Sequence, residues 1–179
     1  MFIAFVVAST GFLVQAHLVN IASVQAARAA DVERLIAAAT PLLANSDHYA
    51  KYPVETLGIM RAEEAVPLLV KHLGYMPPSL KITPTDERNG KLSDMHPCVY
   101  SLAKIGHPAF DAVVKKVCET DDTHTVMCVA ITLRVGFDAD DAITLLRARE
   151  TACKNGREKA RINQVVTEID KTYRQVNFR

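Results

Sequence analysis

Six residues in the second half of the chain have side chains that could do chemistry: His96, Cys98, Cys118, His124, Cys128 and Cys153. His124 and Cys128 stand four apart, the spacing that stacks two side chains on one face of a helix. Imidazole nitrogen and thiolate sulfur are the donors of zinc-type sites, so His96, His124 and Cys128 are the candidate metal ligands. No Cys-x-x-Cys or His-Glu-x-x-His pattern reinforces that reading, and neither a metal nor another cofactor is expected. Four cysteines behind an export-type leader point instead to disulfides. Cys98 and Cys128 fall at the starts of the first helices of two successive pairs, Cys118 and Cys153 at the ends of the second helices. Antiparallel pairing brings all four to one edge. The preferred connectivity is within each pair, Cys98 with Cys118 and Cys128 with Cys153, provided the Cα atoms come within about 7 Å. Pairing Cys118 with Cys128, which would clamp the connecting turn, is the alternative connectivity, and free buried thiols are the alternative to disulfides.

Other reactive patterns are missing. The sequence has no Gly-x-Ser-x-Gly elbow and no glycine-rich phosphate loop. The doublets Glu63-Glu64, Asp121-Asp122 and Asp140-Asp141 sit where helix N-termini are expected, so capping and the helix dipole explain them. His48, His72 and His107 fall at element ends, as solvated or capping groups. Catalytic residues are therefore not expected. The absence of Trp and the sparse aromatic residues argue against a platform for carbohydrate or single-stranded nucleic acid.

These side chains need helices to position them, and the apolar spacing supplies helices throughout. Between Ala30 and Asn45, residues Val32, Leu35, Ile36, Ala39, Leu42 and Leu43 recur at helical intervals, with Pro41 expected to kink or end that helix. Helices are predicted from Ala50 to Met60 and from Glu63 to His72, the latter ended by Gly74. A further helix, capped by Ser93 or Asp94 and carrying Pro97 in its first turn, runs through Ile105 to a stop at Gly106. Pro108 opens the next, to Glu119. Asp121 or Thr123 caps a helix to Val135, Ala139 to Cys153 forms its partner, and Arg157 to Tyr173 is the last. No stretch alternates with period two, so the fold class is all-α. The segment 76–93, PPSLKITPTDERNGKLS after Met76, lacks this periodicity and reads as an inserted loop.

The chain has 179 residues, 49% of them apolar, and a net charge of +1, so one ordinary domain is affordable and no global charge attracts nucleic acid. Local charge is uneven. Six acidic residues between Glu119 and Asp141 face only Arg134, while nine basic residues from Arg147 onward outnumber four acidic ones. A solvated acidic turn followed by a basic cap helix is the simpler reading; a basic docking face is the sharper one. No charged side chain precedes Arg28, and Phe2 to Val14 is a nearly unbroken apolar run of signal-peptide length. Residues 1–29 are therefore read as a signal peptide cleaved after Ala29, with an uncleaved anchor or an apolar first helix as alternatives. Export to the periplasm or the medium is the expectation. A fragment of a longer repeat protein is a further reading of the unusual start.

Aligning Gly106 with Gly136 superposes Ile105 on Val135, Ala112 on Ala142, Val113 on Ile143 and Cys98 on Cys128, an offset of one helix pair. Leu57-Gly58-x-Met60-x-x-x-Glu64-Ala65-Val66-Pro67-x-Leu69 resembles the short bacterial HEAT-like repeat, the type also found in phycobilin-lyase-related proteins. Leu102-x-Lys104-Ile105-Gly106-x-Pro108-Ala109 matches it at the corner between helices. The resemblance covers roughly 50–149 and departs from the pattern at the 76–93 insertion, at Arg61 in place of the corner glycine, and at Asp138-Ala139-Asp140-Asp141. It implies a short α-solenoid of three to four antiparallel helix pairs over 30–179, each pair buried against its neighbours. That family includes scaffolds, enzyme subunits and a few enzymes, so on function the leading reading, an exported non-catalytic module that binds a protein or peptide, rests on the absence of catalytic patterns. The alternative is an enzyme subunit or lyase-like, cofactor-handling protein using the Cys/His edge.

Overall fold

The computed structural model describes residues 3–78 and 92–177, with side chains over 23–78 and 94–171. Most of the predicted insertion at 76–93 lies outside the described residues. Among those described, every regular element is helical and none is a strand. Two compact units divide the chain, 1–34 and 35–179, and the candidate functional residues all lie in the second. Helix α1 (Ile3–Ala44) contributes its first part to the former and its last turns to the latter. No helix among the described residues is long and apolar enough to cross a membrane.

Instead of starting at Ala30, α1 is continuous from Ile3, and Pro41 lies within it. A proline costs its helix one backbone bond, and here the loss falls in the last turn, where the helix ends three residues later. Ser46 turns the chain at φ +52, and Asp47 caps a 3-10 turn, His48–Ala50, by accepting from Tyr49 N at 2.8 Å. Helix α2 (Lys51–Ile59) follows directly, with Pro53 in its first turn. A second 3-10 turn, Glu63–Ala65, leads into α3 (Val66–Lys71), where Pro67 occupies the first turn and needs no donor.

One helix was predicted from Ser93 or Asp94 through Ile105; there are two. Helix α4 (Leu92–Met95) ends before His96, and α5 (Pro97–Ile105) begins after it. The proline ring clashes with a helical conformation at the preceding residue, and His96 is displaced to φ −135, ψ 70. Gly106, at φ +77, stops α5. A 3-10 turn at His107–Ala109 then opens α6 (Phe110–Cys118). Helix α7 (Thr123–Gly136) is capped by Asp122, between the two residues expected to do so. Helix α8 (Ala139–Ala152) is capped by Asp138, and α9 (Gly156–Asn177) follows Asn155, whose Oδ1 accepts from Arg157 N at 2.9 Å.

Helix α5 is buried on nearly every side and packs against α2, α3, α4 and α7. Two glycines allow its neighbours to come that close. A Cβ at Gly58 of α2 would stand 2.6 Å from Ser101 Cα, and one at Gly136 of α7 would stand 2.8 Å from the Ala103 carbonyl oxygen. Ser101 uses the proximity, donating its buried hydroxyl to Val54 O at 2.8 Å. Gly136 therefore differs from its sequence counterpart Gly106: it is the last helical residue, kept bare by a neighbouring backbone, while Gly106 supplies a backbone angle that other residues avoid. Arg61, standing where the other units have a corner glycine, nevertheless takes φ +49. Farther along, α7 packs against α6, α8 and α9, with Leu133, Leu146, Ile162 and Ile169 among the fully buried residues.

Candidate functional site

His96, His124 and Cys128 meet. The break before Pro97 turns the His96 side chain inward, where it is 8% exposed, and its ring lies 5.6 Å centroid to centroid from that of His124. His124 sits in the first turn of α7, whose cap fixes the turn tightly. One Asp122 oxygen accepts from His124 N at 3.2 Å, and the other accepts from Thr125 N at 2.9 Å and from the Thr125 hydroxyl at 2.6 Å. One turn later Cys128 places its Sγ 3.6 Å from His124 Nε2. The donor atoms of all three residues lie within 4.8 Å of one another.

Gly74 leaves room for this arrangement. A Cβ there would stand 3.3 Å from His124 Cδ2 and 3.6 Å from Nε2, so the imidazole rests against bare backbone. The same glycine lines an open groove of about 480 Å3 together with Leu43, Ser46, Lys71, His72, Tyr75 and Met76. Sequence reasoning assigned Gly74 only the end of a helix. The break at His96 follows from Pro97 but was not expected, and the role of Gly74 has no local signal, because His124 approaches from fifty residues away.

Burial dominates the electrostatics. The Cys128 thiol is pushed up to about 12 by desolvation, with a smaller contribution from Asp122. Cys98 is raised further by burial and then by its neighbour Cys128. Tyr75 is pushed up to about 12 by burial first and then by Cys98 and Asp47, and its hydroxyl donates to Asp47 O at 2.6 Å. Burial, followed by Lys71 and Lys116, lowers the pKa of His72. At neutral pH these thiols are protonated, a poor state for a nucleophile. A bound cation changes that, because a coordinating thiol gives up its proton.

The cysteine pairing expected from sequence is not the one the helices make. All four thiols are free, and no two are at disulfide distance. Cys98 on α5 is buried, with Cys128 of α7 near enough to act on its thiol. Cys118, at the end of α6, shares its surroundings with Cys153 and Glu158. The neighbours are thus Cys98 with Cys128 and Cys118 with Cys153, across pairs instead of within them.

The acidic and basic segments meet as well. Asp121 accepts from Arg157 at 2.6 Å and also from Arg161, tying the start of α9 to the turn before α7. Arg161 first, then Arg157, holds the Asp121 carboxyl below the usual carboxylate range. Part of the basic helix is thereby used internally. Elsewhere in the doublets, Asp140 and Asp141 occupy a helical first turn as expected, and Glu63 and Glu64 open a 3-10 turn.

A separate surface stands out on α2 and the turn before it. Tyr49 is 64% exposed, Tyr52 57% and Ile59 70%, and the two tyrosine rings stack at 6.5 Å. Their spacing of three and seven residues places them along one outer stripe. Comparison of the chain with protein-family models, with curated proteins and with solved structures gave no match.

Proposed function

We propose that the 35–179 unit is a short HEAT-like α-solenoid that serves as a non-catalytic protein-interaction module. The observation that carries this reading is the Tyr49, Tyr52 and Ile59 stripe, an aromatic and aliphatic surface left in water. Tyrosine is enriched at binding hot spots, where its ring gives a large apolar contact and its hydroxyl a directional one. The solenoid reading draws on packing in chain order: α2 and α3 against α5, α5 and α6 against α7, α7 and α8 against α9. The partner is a protein or peptide presenting an apolar groove or helix face, and nucleic acid is not expected. Export rests on the leader alone, since the thiols supply no disulfide argument. A second reading, a cofactor-handling protein using the Cys/His edge, draws on the convergence of His96, His124 and Cys128.

Photo-crosslinking in the native host tests the leading reading. A photoreactive residue at Tyr52 gives a discrete adduct that one at exposed Lys154 does not, and Tyr49→Ala with Ile59→Ala reduces it at least about tenfold, the scale of a hot-spot loss. Equal crosslinking at both positions, or none at Tyr52, contradicts the proposal. N-terminal sequencing of the recovered protein tests export: Ala30 as first residue is expected, and an intact leader opposes it.

A further inference from the structure

We propose that His96, His124 and Cys128 form a three-ligand site for a thiophilic d-block cation, Zn2+ foremost, with the fourth coordination position left to water or an exogenous donor. The distances carry this. Bonds of about 2.0–2.1 Å to imidazole nitrogen and about 2.3 Å to thiolate sulfur at a tetrahedral angle place nitrogen and sulfur about 3.5 Å apart. His124 Nε2 and Cys128 Sγ are 3.6 Å apart. A thiol–imidazole hydrogen bond would account for that one distance. The third donor distinguishes a chelate: His96 comes from a different part of the chain and brings a nitrogen within 4.8 Å of both. Closing that span to tetrahedral values takes up to about 1.5 Å of side-chain adjustment.

Three independent features hold the donors in place. Pro97 breaks the chain so that His96 turns inward, the Asp122 cap fixes the first turn of α7 that bears His124, and the helical repeat sets Cys128 one turn beyond. Thiolate with imidazole selects zinc or copper over magnesium and calcium, which prefer oxygen donors. Three protein ligands leave a fourth position for water or an exogenous donor, as in zinc sites that act on a substrate. The His124 edge carrying Nε2 and Cδ2 lies against Gly74, where no side chain intervenes, and Gly74 lines the groove. The site also joins the segment after the 79–91 stretch to α7, so occupancy stiffens the 92–97 segment.

The test uses the full chain, reduced and metal-free, titrated with Co2+ and Zn2+. One Co2+ binds with an intense thiolate-to-cobalt charge-transfer band and tetrahedral visible bands, and Zn2+ displaces it. Cys128→Ser abolishes the charge-transfer band, His96→Gln weakens binding at least about tenfold, and Cys118→Ser with Cys153→Ser leaves it unchanged. Because Cys128 is buried, its variant is checked for helicity by circular dichroism. Zinc-edge X-ray absorption of the unmodified chain needs no variant and should find one sulfur and two imidazole nitrogens. A charge-transfer band that survives Cys128→Ser, a band lost with Cys118 and Cys153, two sulfurs at the edge, or weak binding without a sulfur ligand would each overturn the assignment. Tighter Cu+ than Zn2+ binding through the same three ligands keeps the site and identifies copper as the cation it selects.

Discussion

The neighbourhoods of α5 and α9 are both built from helices of similar spacing, yet they are held together differently. Around α5 the backbones touch. Gly58 and Gly136 admit Ser101 and Ala103, a buried hydroxyl bonds a carbonyl, and the nearby cysteines are sealed. At α9 the joints are polar side chains nearer to solvent: Arg157 and Arg161 with Asp121, and Asn163 donating to Glu150 at 2.6 Å. The cysteines there, Cys118 and Cys153, are half-buried. Repetition in sequence thus fixes spacing without fixing the kind of contact. The tightly packed neighbourhood buries its thiols, whereas the charged joints leave theirs near solvent.

The sharpest way to break this contrast is to add one carbon atom. Gly58→Ala forces a Cβ to within 2.6 Å of Ser101 Cα, and Gly136→Ala to within 2.8 Å of Ala103 O, both backbone atoms. Each should cost about 2–3 kcal/mol by overpacking, read as a lowered urea midpoint at unchanged slope. Gly106→Ala should cost a comparable amount, about 1–3 kcal/mol, for a different reason: nothing lies within 4 Å of its Cβ, but φ +77 with ψ −134 is a conformation that side-chain-bearing residues avoid. A Gly136→Ala chain as stable as the unmodified one would remove the close backbone contact from the account.

On the charged side the expected effects are smaller and depend on conditions. Asp121→Asn should lower the thermal midpoint slightly at low salt and hardly at all at high salt, since exposed pairs are screened. Its folded pKa lies below the ordinary 3.8, so its contribution is present above that value and is lost as pH falls through the depressed one. Asp122, held low by the Thr125 hydroxyl and then by its amide, behaves in the same sense. Melting curves from about pH 5 to about pH 3 should show an acid loss that Asp121→Asn shrinks. An acid limb unchanged by that substitution would remove Asp121 from the account.

Much of the helical framework was legible because its signals are local. Gly106 stops α5 and Pro108 lies in the 3-10 turn that opens the next helix, each decided by a few neighbouring residues, whereas the helix expected from Glu63 to His72 is divided into a 3-10 turn and α3. The site was half legible. His124 and Cys128 share a helix, so their spacing told of their proximity. The break at His96 follows from Pro97, but a continuous helix was expected because the apolar pattern runs through it. The cysteine neighbours were not legible, since the rotation of α5 and α6 about their own axes depends on what each packs against. The bare backbone at Gly74 and at Gly136 is likewise a tertiary fact, visible only once another helix arrives.

Alkylation of the native, reduced, metal-free chain, followed cysteine by cysteine by mass spectrometry, tests the contrast most directly. Cys118 and Cys153 should react early, while Cys98 and Cys128 lag on the order of 100-fold or more, because reaching them requires the α5–α7 contact to open. Cys128 reacting as fast as Cys153 would contradict the account, since the α5–α7 packing that buries Cys128 would then not hold in solution.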